Sequence, residues 1–88
     1  MSVFIRVGPA YREYSGGKET VTVEGRTVRA CLDGLVALFP IFRDLLFDEE
    51  DAVTSIIIHK GEVMVRSRLD EPVEDASEID LLPMVSGG

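Results

Sequence analysis

Alternating apolar and polar residues mark the first two strands of this chain. Residues 2–7 place Val3, Ile5 and Val7 on one face and the residues between them on the other. Residues 20–23 repeat this period of two with β-branched side chains. Such a period is typical of strands that bury one face. The two segments are predicted to pair as a hairpin whose long loop closes on Ser15-Gly16-Gly17-Lys18.

The second half of the chain contains three further candidate strands. Residues 55–59 are rich in β-branched side chains, and Lys60-Gly61 is a plausible tight turn leading into residues 62–65. Pro72 limits residues 69–73 to an edge segment at most. Residues 79–82 are predicted to form the last strand.

One segment has the spacing of an amphipathic helix. Apolar residues recur every three or four positions, at Val28, Cys31, Leu32, Leu35, Leu38 and Phe39. Thr27 is a good N-cap, and Pro40 ends or kinks the helix. Residues 41–47 add a short turn that closes one end of the core.

The order of elements is therefore two strands, a helix, two strands and a last strand. A single amphipathic helix needs an apolar sheet to cover it. We predict an α+β roll in which a mixed sheet of four or five strands carries one main helix on one face, with the first and last strands side by side and parallel. Residues 1–84 form this domain, and residues 85–88 form a flexible tail.

Size and charge narrow the possible functions. A chain of 88 residues forms one domain and has little room for a large enclosed pocket. Its 16 acidic and 9 basic residues give a net charge of −7. Binding to nucleic acid or an anionic membrane needs clustered Lys and Arg, which the sequence lacks. A partner with a basic surface suits this charge better.

Few residues in the sequence are candidates for catalysis or metal binding. A single cysteine excludes an internal disulfide and a zinc or iron–sulfur site, and no metal site is predicted. Cys31 lies on the apolar helix face, so we interpret it as a core residue rather than a sulfur relay. We interpret His59, at a strand end, as a surface residue rather than a proton shuttle. The acidic residues 48–51 form a solvated turn or a docking site for a basic partner.

The start of the chain has no signal-peptide pattern, because Arg6 and Gly8 interrupt its short apolar segment. No apolar run approaches the length that spans a bilayer. We therefore expect a reducing, cytoplasmic location.

The last ten residues are the most informative part of the sequence. They read Ile-Asp-Leu-Leu-Pro-Met-Val-Ser-Gly-Gly, so the predicted last strand is soon followed by Ser86-Gly87-Gly88. This segment is similar to the ending of the ubiquitin-like sulfur carriers, and the chain resembles that family over nearly its full length. The likeness includes the Gly16-Gly17 loop and the turn from Val23 to Thr27.

The family includes the small subunit of molybdopterin synthase, the thiamine-pathway carrier and the carrier used in thiocarboxylate-dependent cysteine synthesis. Residues 12–17 and 47–50 resemble the cysteine-synthesis branch most. The chain departs from the common pattern at His59-Lys60-Gly61, where relatives usually have Asn-Gly. It also departs at Met84, where many have proline or alanine.

This resemblance implies a β-grasp (ubiquitin-like) fold and a carrier function. A separate ubiquitin-activating-type enzyme would adenylate the Gly88 carboxylate with ATP and magnesium, and sulfur would then displace AMP to leave a thiocarboxylate. Gly88 with Gly87 would be the reacting site. The chain would be a co-substrate rather than an enzyme, although it could count as the small subunit of a synthase. It would bind no cofactor, be monomeric when free, and pass its sulfur to an acceptor enzyme.

Two alternatives stay open. The chain could be a protein modifier that is joined through Gly88 to lysines, or an interaction domain whose two final glycines carry no function.

The strand pattern also predicts a partner surface. If Val3 and Ile5 face the helix, Phe4 faces away from it, and Leu82 does the same on the last strand. Exposed apolar side chains on neighbouring strands tend to mark binding sites. We expect Phe4 and Leu82, with Met84, Val85 and Ser86, to contact partner enzymes, unless a loop covers them.

Overall fold

The computed structural model describes residues 1–84, so the predicted tail at residues 85–88 lies outside the described residues. The strands are β1 (Ser2–Val7), β2 (Thr20–Glu24), β3 (Ser55–His59), β4 (Glu62–Val63) and β5 (Glu78–Pro83). The α-helices are α1 (Val28–Leu38) and α2 (Phe42–Leu46), and short 3-10 helices cover Pro9–Ser15 and Arg66–Arg68.

The strands form one mixed sheet in the order β2-β1-β5-β3-β4. β1 and β5 pair in parallel, and the other neighbours are antiparallel. The predicted adjacency of the first and last strands is therefore confirmed. The last strand lies in the middle of the sheet, so the chain leaves the domain from its centre.

The core lies between one sheet face and α1, as predicted. The strands contribute alternate residues that are at most 4% exposed, namely Val3, Ile5, Val7, Val21, Val23, Ile57, Ile79 and Leu81. The helix contributes Val28, Cys31, Leu32 and Leu35, all fully buried. The predicted turn at residues 41–47 contains α2, whose Phe42 and Leu46 extend the core. None of the helices within residues 1–84 is long and apolar enough to cross a membrane.

Cys31 is fully buried, which confirms its predicted place in the core. Burial raises the pKa of its thiol, because the apolar surroundings disfavour the charged thiolate. A thiol in this environment is poorly suited to relay sulfur.

Residues 69–73 cap α1 instead of adding an edge strand. Thr27 Oγ1 accepts from the Ala30 N–H at 3.1 Å, as its N-cap role predicts. The preceding amides of Val28 and Arg29 donate to the carbonyls of Glu71 (3.0 Å) and Leu69 (2.8 Å). Three amides that a helix start normally leaves unpaired are thus satisfied. Pro72 makes one isolated bridge, to Thr27.

The prediction that His59 lies at the surface is wrong. Ser55, Ile57 and His59 alternate inward on β3, and His59 is only 1% exposed. Its Nδ1 lies 3.0 Å from Glu71 Oε1. A carboxylate can only accept, so Nδ1 carries the proton, while the buried Nε2 has no partner among the described residues. This bond joins β3 to the segment that caps α1.

We expect Leu35→Ala to lower the free energy of unfolding by roughly 2–5 kcal/mol, because it removes a fully buried side chain and leaves a cavity. Leu38→Ala is the matched control on the same helix, since Leu38 is 57% exposed and should change stability little. Urea unfolding measures both. Equal effects at the two positions would contradict the helix orientation.

Glu71 makes stability depend on pH. The bond from His59, more than the ion pair with Arg68, holds the pKa of Glu71 below its usual value. A carboxyl whose pKa is lowered by folding stabilises the folded state above its unfolded pKa of about 4.3, and this contribution is lost as pH falls through the lower folded value.

We therefore expect Glu71→Gln to lower the melting temperature at pH 7 and to have a shrinking effect at progressively lower pH below about 4. Glu74→Gln is the control, since the Glu74 side chain is 80% exposed and only loosely paired with Lys60. Thermal unfolding across pH measures both. An effect of Glu71→Gln that stays constant from pH 7 to pH 2 would contradict this account.

Candidate functional site

The sheet face away from α1 carries the predicted partner residues. Phe4 and Leu82 are 36% and 37% exposed, whereas Val3 and Ile5 are fully buried on the opposite face. The predicted strand register is therefore confirmed. Both side chains lie on the face away from the helix, and neither is fully covered by a loop. We call this surface the open face.

An ion pair separates these two apolar residues. Arg6 lies opposite Asp80 and bonds both of its carboxylate oxygens, one of them at 3.0 Å. Phe4 lies opposite Glu78, so Leu82 is four residues farther along the neighbouring strand. Four strand residues span about 13 Å. Phe4 and Leu82 therefore belong to two separate parts of the open face rather than to one patch.

Leu82 is part of a longer apolar strip that the sequence analysis missed. It lies opposite Ile56, and Ile58 lies opposite Val63 on the edge strand. Ile56 and Ile58 are half-buried, and Val63 is 55% exposed. These four residues form the apolar strip of the open face. Alternation around Ile57 was the signal that could have identified them.

The chain leaves the sheet beside this strip. Pro83 is the last residue of β5 and lies opposite Ser55, and Met84 after it is 53% exposed. The remaining predicted site residues, Val85, Ser86, Gly87 and Gly88, lie outside the described residues. The apolar strip and Met84 therefore border the point from which the glycine segment continues.

The acidic residues 48–51 form a turn held by its own hydrogen bonds. Asp48 Oδ1 accepts from the amides of Glu50 and Ala52 at 2.8 and 2.9 Å, and Asp51 pairs with Arg29 at 3.3 Å. These contacts account for the predicted solvated turn. Among residues 1–84, no group of three or more His, Cys, Asp and Glu side chains is arranged to hold a metal ion.

A five-stranded β-grasp sheet crossed by one main helix, with its central last strand leading into Gly-Gly, defines a ubiquitin-like protein of the carrier and modifier class. The chain belongs to the ThiS family, whose model matches residues 5–88. The match begins at Ile5 in β1 and ends at Gly88.

Solved structures agree with this assignment. SAMP1 from Haloferax volcanii is 27% identical, with a TM-score of 0.83 over 100% of both chains. The small archaeal modifier protein 1 of Methanosarcina acetivorans is 26% identical, with a TM-score of 0.80 over 99% of this chain and 96% of that one.

CysO in the Amycolatopsis orientalis BexX/CysO complex shares the fold at 24% identity, with a TM-score of 0.82 over 98% of this chain and 99% of that one. No curated protein sequence matches the chain significantly.

Proposed function

We propose that this chain is a sulfur carrier whose reacting group is the Gly88 carboxylate, acting with separate enzymes rather than as an enzyme itself. The observation that carries the proposal is the family match through Gly88, on a domain whose last strand lies in the middle of the sheet and ends at Pro83, shortly before the two glycines in sequence. The partners are an adenylating enzyme of the ubiquitin-activating type and an acceptor enzyme in cofactor or cysteine biosynthesis.

The proposed chemistry has two steps. A carboxylate is ionised at neutral pH and is a poor electrophile. In the first step a Gly88 carboxylate oxygen attacks the α-phosphorus of ATP on the activating enzyme, which also supplies magnesium, and pyrophosphate leaves. In the second step sulfide attacks the carbonyl carbon and AMP leaves, so the product is a thiocarboxylate. Dividing a difficult transfer in this way is the logic of covalent catalysis.

In this chemistry the chain presents its C-terminal carboxylate and a surface for the partner to bind. It supplies neither a base nor a metal. Glycines lack a Cβ, so Gly87 and Gly88 can enter a narrow channel on a partner. The open face supplies two apolar contacts, at Phe4 and at the apolar strip, with the Arg6–Asp80 pair between them. A partner that grips this face holds the glycine segment next to its own catalytic groups.

Protein modification is the second candidate. It is favoured by the 27% and 26% identity to structures named as SAMP1 and small archaeal modifier protein 1. The same activated carboxylate would be attacked by a lysine amine instead of sulfide. Mass spectrometry of cellular proteins under oxidative stress distinguishes the two, because only a modifier leaves Gly88 linked to lysine side chains. A plain interaction domain would keep its function after deletion of Gly88.

Removing the two apolar contacts should reduce the free energy of partner binding additively. Phe4→Ser and Leu82→Ser should each weaken binding to the activating enzyme by about tenfold, or ~1.4 kcal/mol, because each removes a partly exposed apolar side chain from the interface. The double variant should show the product of the two effects, since the residues are about 13 Å apart.

Calorimetric titration measures these affinities. Leu38→Ser is the control, because Leu38 is equally apolar and 57% exposed but lies on the helix. Unchanged affinity in both open-face variants would remove this surface from the proposal.

The chemical prediction concerns Gly88. With its activating enzyme, ATP, magnesium and sulfide, the protein should gain about 16 Da, the mass difference between sulfur and oxygen, at Gly88. Deleting Gly88 should abolish the gain without changing the melting temperature. One added residue should also abolish it, because the new carboxylate lies about 3.3–3.6 Å farther along.

Cys31→Ala is the control, and it should still gain the mass if it folds. Sulfur transfer to the extended protein would show that the position of the carboxylate is not critical. Loss of the mass gain in a folded Cys31→Ala variant would favour a cysteine mechanism instead.

A further inference from the structure

The outer edge of β2 has backbone groups that no other strand bonds. β2 lies at one end of the sheet and pairs only with β1. The Val7 amide donates to the Glu19 carbonyl at 2.8 Å, so the odd-numbered residues of this strand are the ones that bond β1. The N–H and C=O groups of Thr20 and Thr22 therefore point outward. Both residues are exposed, and these groups have no hydrogen-bond partner among residues 1–84.

This edge also lacks the features that usually protect a strand from pairing with another chain. β4, at the opposite end of the sheet, is only two residues long, whereas β2 has five. The sequence of β2, Thr-Val-Thr-Val-Glu, contains no proline or lysine and is mostly β-branched. An unprotected edge of this kind can bind an extended segment through main-chain hydrogen bonds.

Helix α1 runs beside β2 in the opposite direction. A Cβ on Gly25, just after the strand, would lie 2.9 Å from the Cys31 backbone nitrogen. A Cβ on Gly34, one turn farther along the helix, would lie 3.3 Å from Val23 Cβ. Two strand residues and four helical residues span similar lengths, about 6.6 and 6 Å. The next turn therefore brings Leu38 level with the start of β2, and the helix follows the strand along its length.

The side of α1 next to this edge is apolar and shallow. Gly34 has no side chain, and the residues one turn before and after it are Ala30 and Leu38. Ala30 is half-buried and Leu38 is 57% exposed. Side chains of an added strand would alternate in direction, so every second one would face the helix. A large apolar side chain fits opposite Gly34, between Ala30 and Leu38.

Charge favours a basic segment over a second copy of the chain. Glu24 is the one charged residue of β2, and its side chain is 74% exposed, with the Met1 ammonium 3.5 Å away. Lys18 and Arg26 lie beyond the two ends of the strand. The whole chain has a net charge of −7, so a second copy is repelled whereas a basic segment is attracted.

We propose that the groove between β2 and α1 binds an extended basic segment of a partner protein, which adds a strand to the sheet. The backbone of this segment bonds Thr20 and Thr22, its apolar side chains face Gly34 and Leu38, and its basic side chains lie on the same side of the sheet as Glu24. The groove is at the opposite edge of the sheet from the apolar strip. The proposal therefore does not depend on the carrier function.

The probe is a synthetic peptide with blocked ends, Lys-Val-Lys-Leu-Lys-Val-Lys, in which basic and apolar side chains alternate. Nuclear magnetic resonance titration should shift the amides of Thr20 and Thr22 and slow their hydrogen exchange. The exchange of Val21 should not change, because its amide already bonds β1. The same peptide with glutamate in place of lysine should bind about tenfold more weakly or worse.

Two variants test the two sides of the groove. Thr22→Pro removes an outward N–H but no bond to β1, and it should weaken peptide binding about tenfold. Thr22→Ala keeps that N–H and should bind within about twofold of wild type. Leu38→Ser should weaken binding about threefold or more, because it removes apolar contact area. Val65→Ser is its matched control, since Val65 is 52% exposed but lies outside the groove.

Thermal unfolding establishes that each variant is folded. If Thr22→Pro does not fold, Thr20→Pro decides by the same titration, because proline is tolerated at the first residue of a strand. Wild-type affinity in a folded proline variant would overturn the proposal. So would equal binding of the lysine and glutamate peptides, or unchanged exchange of Thr20 and Thr22 at millimolar peptide.

Pairing between two copies has a different signature. Protection of the Thr22 amide without peptide, rising with protein concentration, would assign this edge to a second copy and overturn the proposal. None of these measurements uses an activating enzyme or Gly88. Failure of the groove proposal would therefore leave the proposed carrier function standing, and failure of sulfur transfer would leave the groove proposal standing.

Discussion

The parallel pairing of β1 with β5 is the constraint on which the rest of the structure depends. It joins residues that are more than seventy positions apart, as in the contact between Arg6 and Asp80. β5 therefore enters the sheet between two strands formed earlier in the chain, with Ile79 and Leu81 fully buried against the helix. Contacts this distant in sequence are slow to form, because the intervening chain must be ordered first.

That constraint also divides β5 into a buried part and an exposed end. β5 contributes central hydrogen bonds and buried side chains up to Leu81, whereas Met84 is already more than half exposed. Changes within β5 up to Leu81 therefore affect the core directly. The proposed function would make use of this division, because a partner could bind the end of the chain while the domain stays folded.

The open face carries charged side chains as well as apolar ones. Arg6 is paired with Asp80 and lies near Glu78, so its positive charge is more than offset by the two carboxylates. Exposed ion pairs contribute little stability. The Arg6–Asp80 pair instead occupies the surface between Phe4 and the apolar strip.

Local patterns were sufficient for most of the fold. The period of two in residues 2–7, the helical spacing from Val28 and the Thr27 cap each depend on neighbours close in the chain, so their elements could be predicted from sequence. The same alternation placed Phe4 and Leu82 on the open face. The resemblance of the last ten residues to a known family supplied the candidate chemistry.

Only the tertiary structure decided what depends on register and on distant partners. His59 is buried because it shares the inward face of β3 with Ile57 and because Glu71, twelve residues away, accepts a hydrogen bond from its Nδ1–H. Phe4 and Leu82 are separated because the parallel register opposes Phe4 with Glu78 rather than with Leu82. The alternation of residues can be read from a sequence. Pairing between strands far apart in the chain depends on the packing of the whole core, so the surroundings of His59, Phe4 and Leu82 could be determined only from the folded molecule.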